Sequence, residues 1–101
     1  MNASELSSRL TALLGHFDVN IACSDEVAAY LEGLPEAGRL AVQEEFARCL
    51  QEGRLGMERF RRATACSAKD ESTARRFFHD VYRYAFEGGE EPYVPDYTVW
   101  R

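Results

Sequence analysis

The spacing of apolar residues predicts an α-helix near the start of the chain. From about Ser4 to Gly15, leucines recur at spacings of four and three residues, which places them on one helical face. Ser4 is the predicted N-cap, because a serine hydroxyl can accept a hydrogen bond from a first-turn N–H, and Gly15 is the predicted stop. The alternating stretch 17–23 is interpreted as a packed loop, since one lone strand cannot form a sheet.

Four further helices are predicted from capping residues, apolar periodicity and glycine stops. They span about 24–33, 35–52, 56–64 and 70–87. We expect Pro35 at the first helical position, where its missing N–H costs nothing, and either Asp70 or Ser72 as the cap of the last helix. The predicted inward residues are Val27, Ala28, Tyr30, Leu31, Leu40, Ala41, Phe46, Ala47, Leu50, Met57, Phe60, Ala74, Phe77, Phe78, Val81, Tyr82 and Ala85.

The C-terminal residues differ in character from the rest of the chain. Gly88 and Gly89 break the last helix, and Pro92 and Pro95 then favour extended backbone. The sequence therefore predicts an all-α, single-domain bundle of about five helices over residues 1–89, followed by an extended aromatic tail over residues 90–101.

Length and composition support one small globular domain. The chain has 101 residues, of which 46% are hydrophobic, and this length suits a single core. No apolar run approaches the roughly 18 residues that a membrane span requires. Its three cysteines are odd in number and far apart, which argues against a disulfide framework and favours a reducing compartment. We therefore expect a cytoplasmic protein that has no membrane contact.

Charge is unevenly distributed along the chain. Residues 1–52 hold nine acids and three bases (net -6), 53–76 hold three acids and seven bases (net +4), and 77–101 hold five acids and two bases (net -3). The total of -5 argues against a general nucleic-acid binder, which needs a basic surface. The acidic first half is a candidate surface for a basic protein, unless the basic middle segment neutralises it within the fold.

Catalytic motifs are missing from the sequence. His79 and Asp80 are adjacent, so on a helix their side chains point about 100° apart and do not form a base with its orienting carboxylate. Cys49 precedes the inward Leu50 and is interpreted as a buried small hydrophobe. Neither histidine has the spacing of a zinc motif, and there is no phosphate-binding glycine loop. We expect a protein that is not an enzyme and uses no metal or cofactor.

Two groups of residues are candidates for partner binding. Asp25, Glu26, Glu44 and Glu45 lie on two consecutive acidic helices, where a negative field would attract a positively charged protein. Tyr97 and Trp100 are of the residue types that are enriched at interface hot spots. The alternatives remain open: the acids also suit a solvated face, and the aromatic tail could fold back over its own bundle.

The order of these elements resembles that of the small acidic helical immunity proteins of bacterial contact-dependent growth inhibition systems. The resemblance extends from about Leu10 to Phe86. It rests on Leu-Leu-Gly-His-Phe at 13–17, Ser24-Asp25-Glu26-Val27, Tyr30-Leu31, Leu34-Pro35, Arg39-Leu40, Glu44-Glu45-Phe46, Arg54-Leu55-Gly56 and Phe77-Phe78. The sequence departs from the family pattern at Asp18-Val19-Asn20-Ile21 and beyond Gly89.

The resemblance implies a non-catalytic cytoplasmic protein that binds and neutralises one cognate toxin, usually a nuclease. Two alternatives stay open. A phage-encoded inhibitor of a host nuclease or CRISPR-type complex would need the same small acidic surface. A structural or regulatory homodimer would instead be held together by the tail.

Overall fold

Five α-helices and one short 3-10 helix make up the part of the chain that the structure describes, which confirms the predicted all-α class. The computed structural model describes residues 6–17 and 26–99 of the chain. The helices are α1 (Ser8–Gly15), α2 (Glu26–Glu32), α3 (Glu36–Gln51), α4 (Met57–Thr64) and α5 (Glu71–Phe86), and the 3-10 helix is Val94–Tyr97. The predicted loop 17–23 lies outside the described residues except for Phe17, which is buried.

The helix starts follow local capping chemistry. Ser7 caps α1, because its hydroxyl accepts a hydrogen bond from the Leu10 N–H at 3.2 Å. The predicted cap Ser4 lies outside the described residues. Asp70 is the cap of α5, where its carboxylate accepts from the Thr73 N–H at 2.7 Å and this bond lowers the pKa of Asp70. Pro35 is the N-cap of α3 and not its first helical residue, so the helix begins one residue later than predicted, at Glu36.

Helix α4 is capped by a side chain from another helix. Gly56 precedes α4 and has no side chain of its own to offer, and the Glu71 carboxylate instead accepts from the Met57 N–H at 3.3 Å. A Cβ atom at position 56 would lie 1.7 Å from a Glu71 carboxylate oxygen. The glycine therefore leaves the space through which α5 reaches the start of α4.

Aromatic rings from several elements meet around Phe77 at the centre of the core. Its ring lies edge-to-face with those of Phe60 at 4.8 Å, Tyr97 at 5.1 Å, Phe78 at 5.2 Å and Phe17 at 5.6 Å between centroids. The buried aliphatic residues around this cluster include Leu10, Leu13, Leu14, Val27, Leu31, Val42, Leu55 and Val81. The predicted inward positions of α5 are thus confirmed at Ala74, Phe77, Phe78 and Val81.

The predicted inward face of α3 is wrong in part. Leu40 is 51% exposed and Ala41 is also exposed, whereas the helix buries Gly38, Val42, Phe46 and Cys49. Apolar residues lie on both sides of this helix, and contacts with α1 and α5 select the side that is buried. Met57 is likewise 38% exposed at the start of α4, where the prediction placed it inward.

The described part of the C-terminal tail packs against its own bundle. The Lys69 N–H donates to the Tyr97 carbonyl and the Val99 N–H to the Ser67 carbonyl, each at 3.0 Å. These bonds flank an isolated antiparallel bridge between Ala68 and Thr98. Residues 94–97 turn into the 3-10 helix, so the tail is not extended throughout, and Val94, Tyr97 and Thr98 are buried.

Candidate protein-binding surfaces

The outward side of α3 combines carboxylates with an exposed leucine. Glu36, Leu40 and Glu44 are four residues apart, so they lie along one line of the helix surface. This line faces away from the core, because Leu40 is two positions from the buried Val42. Ala37 and Ala41 are exposed beside it. We call Glu36, Ala37, Leu40, Ala41 and Glu44 the α3 face.

Among the described residues, no base forms an ion pair with a carboxylate of the α3 face. In the part of the chain that the structure describes, the ion pairs join Arg54 to Glu52 at 2.9 Å, Arg62 to Glu58 at 2.9 Å and Arg75 to Glu71 at 3.5 Å. Each of these arginines comes from the basic segment 53–76, and Glu52 is the one partner from the acidic first half. Glu36, Glu44 and the exposed Glu32 of α2 therefore form no ion pair with a described residue.

Glu45, a predicted partner-binding residue, holds two helices together instead. Its carboxylate accepts hydrogen bonds from the Ser7 N–H at 2.8 Å and from the Ser7 hydroxyl at 2.5 Å. Ser7 is also the N-cap of α1, so this contact ties the start of α1 to the middle of α3. Glu45 is half-buried there, and its carboxylate is already used within the chain.

Tyr97, another predicted partner-binding residue, is part of the core. Only 8% of it is exposed, and its hydroxyl donates a hydrogen bond to the Asp80 carboxylate. The guanidinium carbon of Arg76 lies 5.5 Å from the ring centroid on the outer side. Burial and the bond to Asp80 raise the pKa of Tyr97 well above its usual value. Its ring is therefore not available to a partner.

The other predicted binding residues stay predictions. Asp25 and Trp100 lie outside the described residues, as does the side chain of Glu26. Glu44 is exposed on the α3 face. The structure thus places Glu44 on an accessible surface and uses Glu45 and Tyr97 for internal contacts.

Two clefts that the sequence reasoning missed adjoin the C-terminal half of α5. The tail cleft, of about 530 Å³, is lined by Asp80, Arg83, Gly89, Glu90, Glu91, Pro92, Tyr93, Asp96 and Tyr97. The α3–α5 groove, of about 330 Å³, is lined by Ala47, Leu50, Gln51, His79, Tyr82, Arg83 and Glu87. The sequence carries a signal for the acidic character of the tail cleft, since residues 77–99 hold five acids and one base.

The described residues offer little for catalysis. His79 is exposed on α5, and the neighbouring Asp80 carboxylate is bonded to Tyr97. Cys49 is buried as predicted, and burial together with the nearby Glu45 carboxylate raises the pKa of its thiol, which disfavours the reactive thiolate. Within residues 6–17 and 26–99, no group of three or more histidines, cysteines or carboxylates is placed to hold a metal ion.

Comparisons with known proteins add no relatives to this description. Neither a family model, nor a curated protein, nor a solved structure matches the chain. The described helices include none with the length and apolar character needed to cross a membrane. The arguments for function therefore rest on the chain's own surfaces.

Proposed function

We propose that this protein is a non-catalytic cytoplasmic inhibitor of the immunity type, which binds and neutralises a cognate bacterial toxin, most simply a nuclease. The α3 face is the contact surface in this proposal. The single observation that supports it most is that Glu36 and Glu44 flank the exposed Leu40 without an ion-pair partner among the described residues.

Electrostatic complementarity explains why a nuclease is the favoured partner class. A nuclease must hold phosphates in a positively charged cleft, so an acidic inhibitor both steers toward that cleft and competes with nucleic acid there. Residues 26–52 hold six acids and two bases, which leaves α2, α3 and their connection at net -4. Bases of the toxin would meet Glu36 and Glu44, which form no ion pair with a described residue.

The exposed leucine supplies the apolar part of the contact. Leu40 lies between the two glutamates on one line of helix surface and is 51% exposed. Burying a leucine side chain contributes about 1.5–3 kcal/mol when it starts fully exposed, so half of that is available here. A contact of this kind has an apolar centre and a charged rim, as many protein interfaces do.

The test begins with the purified chain and the nuclease that it captures from the source cells. We expect the chain to abolish cleavage of nucleic acid by that nuclease. Raising the salt concentration from about 50 to 500 mM shortens the screening length to a few Å, so the association rate should fall by at least about tenfold. Capture of a protein whose activity the chain leaves unchanged would contradict the proposal.

Paired variants locate the contact. Glu36→Gln together with Glu44→Gln should slow association about tenfold, because rim charges act mainly on the association rate. The matched control, Glu52→Gln with Glu58→Gln, removes two carboxylates that are already paired with arginines at the surface, and we expect a change of less than about twofold. Equal effects of the two pairs would contradict the assignment of the α3 face.

A further inference from the structure

The tail cleft and the α3–α5 groove adjoin each other along α5. Arg83 lines both of them, so the two clefts are neighbours on the surface, one between α3 and α5 and the other between α5 and the segment after Gly89. We call the two clefts together the composite groove. No lining residue belongs to the α3 face. This composite groove is thus a second accessible surface, and its two ends differ in chemistry.

The end next to α3 has an apolar floor and is preformed. Ala47, Leu50 and Tyr82 are half-buried and form this floor, and the exposed Gln51, His79, Arg83 and Glu87 surround it. The Tyr82 ring packs edge-to-face on Phe46 at 5.4 Å, and its hydroxyl accepts a hydrogen bond from the Gln43 side-chain amide at 3.2 Å. Because the ring is held from two sides, the groove exists without rearrangement, which lowers the cost of binding an apolar side chain.

The end next to the tail is acidic and has an aromatic rim. Glu90, Glu91 and Asp96 are exposed there and form no ion pair with a described residue. Arg83 is the one base among the described residues that line this end. Tyr93 is 65% exposed, the largest exposed fraction among the described large hydrophobic side chains. A tyrosine face beside carboxylates suits a guanidinium or ammonium group.

We propose that the composite groove binds an amphipathic basic segment of a protein partner. An apolar side chain of that segment occupies the α3–α5 groove, and a following arginine or lysine lies in the tail cleft against Tyr93. The apolar floor and the carboxylates select this occupant together, because neither an acidic nor a purely polar segment complements both ends. Nucleic acid is disfavoured, since its phosphates would face Glu90 and Glu91.

The inference rests on the proposed function in one respect only, that the partner is a basic protein. If that partner is the toxin, it contacts the inhibitor at two surfaces, the α3 face and the composite groove. Two-site contact would raise affinity beyond what either surface provides, provided that both can be engaged at once.

The experiment uses a synthetic helical peptide in which a leucine is followed by an arginine along the same face, so that both can contact the chain at once. Its titration into the labelled full chain is followed by amide chemical shifts in NMR spectra. We expect saturable shifts at residues 47–51, 79–83 and 89–97. A peptide with serine for leucine should bind about tenfold more weakly, and one with glutamate for arginine should not bind.

Variants of the chain separate this site from the α3 face. Glu90→Gln with Glu91→Gln should weaken peptide binding about fivefold, and Tyr93→Ala should weaken it as well, because all three side chains are exposed and their loss leaves the fold intact. The control Glu36→Gln with Glu44→Gln should leave the peptide affinity within about twofold.

Shifts centred on α3 residues 36–44, or an unchanged affinity in the Glu90/Glu91 and Tyr93 variants, would overturn the inference. Neither result bears on nuclease inhibition by the α3 face, which is measured separately. Conversely, an unchanged association rate with the nuclease in the α3-face variant would contradict the proposed function and would leave the peptide result as it is, so the two proposals fail independently.

Discussion

At the scale of single residues, Glu45 and Tyr97 make hydrogen bonds within the chain, whereas the sequence predicted that they bind a partner. Glu45 was predicted to bind a partner because of its negative charge, and Tyr97 because tyrosine is enriched at interface hot spots. Nothing in their neighbours along the chain marks them as internal. The partner of Glu45 is Ser7, 38 residues away, and that of Tyr97 is Asp80, 17 residues away. Such contacts depend on how helices pack, so a pattern of nearby residues cannot predict them.

Because Tyr97 is buried and bonded to Asp80, the free energy of unfolding should depend on pH in the alkaline range. Burial and this bond raise the folded-state pKa of Tyr97 above the usual 10.0. The stability it contributes is therefore fully present below about pH 10 and is lost as the pH rises toward the folded-state value. Urea unfolding between about pH 8 and pH 11 should show a steeper loss of the unfolding free energy for the wild type than for Tyr97→Phe.

At about pH 8 the same Tyr97→Phe variant should be less stable by about 1 kcal/mol, because Asp80 loses its donor. Tyr93→Phe is the matched control, since Tyr93 is on the same segment but 65% exposed. It should change neither the stability nor its dependence on pH. If the unfolding free energies of the wild type and Tyr97→Phe fell in parallel as the pH rises, the Tyr97 hydroxyl would not be the cause of the pH dependence.

At the scale of elements, the sequence predicted helices better than helix faces. Helix α5 was predicted well because its cap, its apolar stripe and its glycine stop agree with one another. Helix α3 was predicted in extent, and its inward face was predicted correctly at Phe46 but not in its first half, where Leu40 and Ala41 compete with Gly38 and Val42 for the inward side. Only the neighbouring helices decide between these two stripes. The clefts beside α5 were missed for a related reason, since one arises where α3 packs on α5 and the other where the tail returns.

The returning tail is an element whose removal should destabilise the whole fold. Truncation after Pro92 removes Val94 and Tyr97 from the core and uncovers the Phe77 ring, which Tyr97 contacts at a centroid distance of 5.1 Å. We expect a loss of at least about 3–5 kcal/mol of unfolding free energy, the usual cost of removing a large buried ring. Thermal unfolding followed by circular dichroism measures it, with Tyr93→Ala as a nearly neutral control. A truncated chain as stable as the wild type would contradict this role.

At the scale of the whole molecule, the described surface predicts that the chain is a monomer in solution. The large apolar side chains that are exposed in the described part of the chain come from three of its parts: Leu40 from α3, Met57 from α4, and Tyr93 and Val99 from the tail. A stable homodimer usually needs a contiguous apolar patch. A chain that lacks such a patch should stay monomeric, so light scattering at about micromolar concentration should give the mass of one chain. A dimeric mass would instead support the homodimer that the sequence left as an alternative.

The bridge between Ala68 and Thr98 has a consequence for the order of folding. It ties the chain just before α5 to the chain well after it, so that α5 lies inside a closed loop. Closing such a loop has an entropic cost that contacts within a single helix do not carry, so the helices should form before the tail is fixed in place. Before the tail is fixed, we expect the Phe77 ring to lack the contact with Tyr97 that covers it in the folded chain. In the native protein, the backbone amides of α5 should accordingly exchange their hydrogens mainly through an opening in which the tail also detaches.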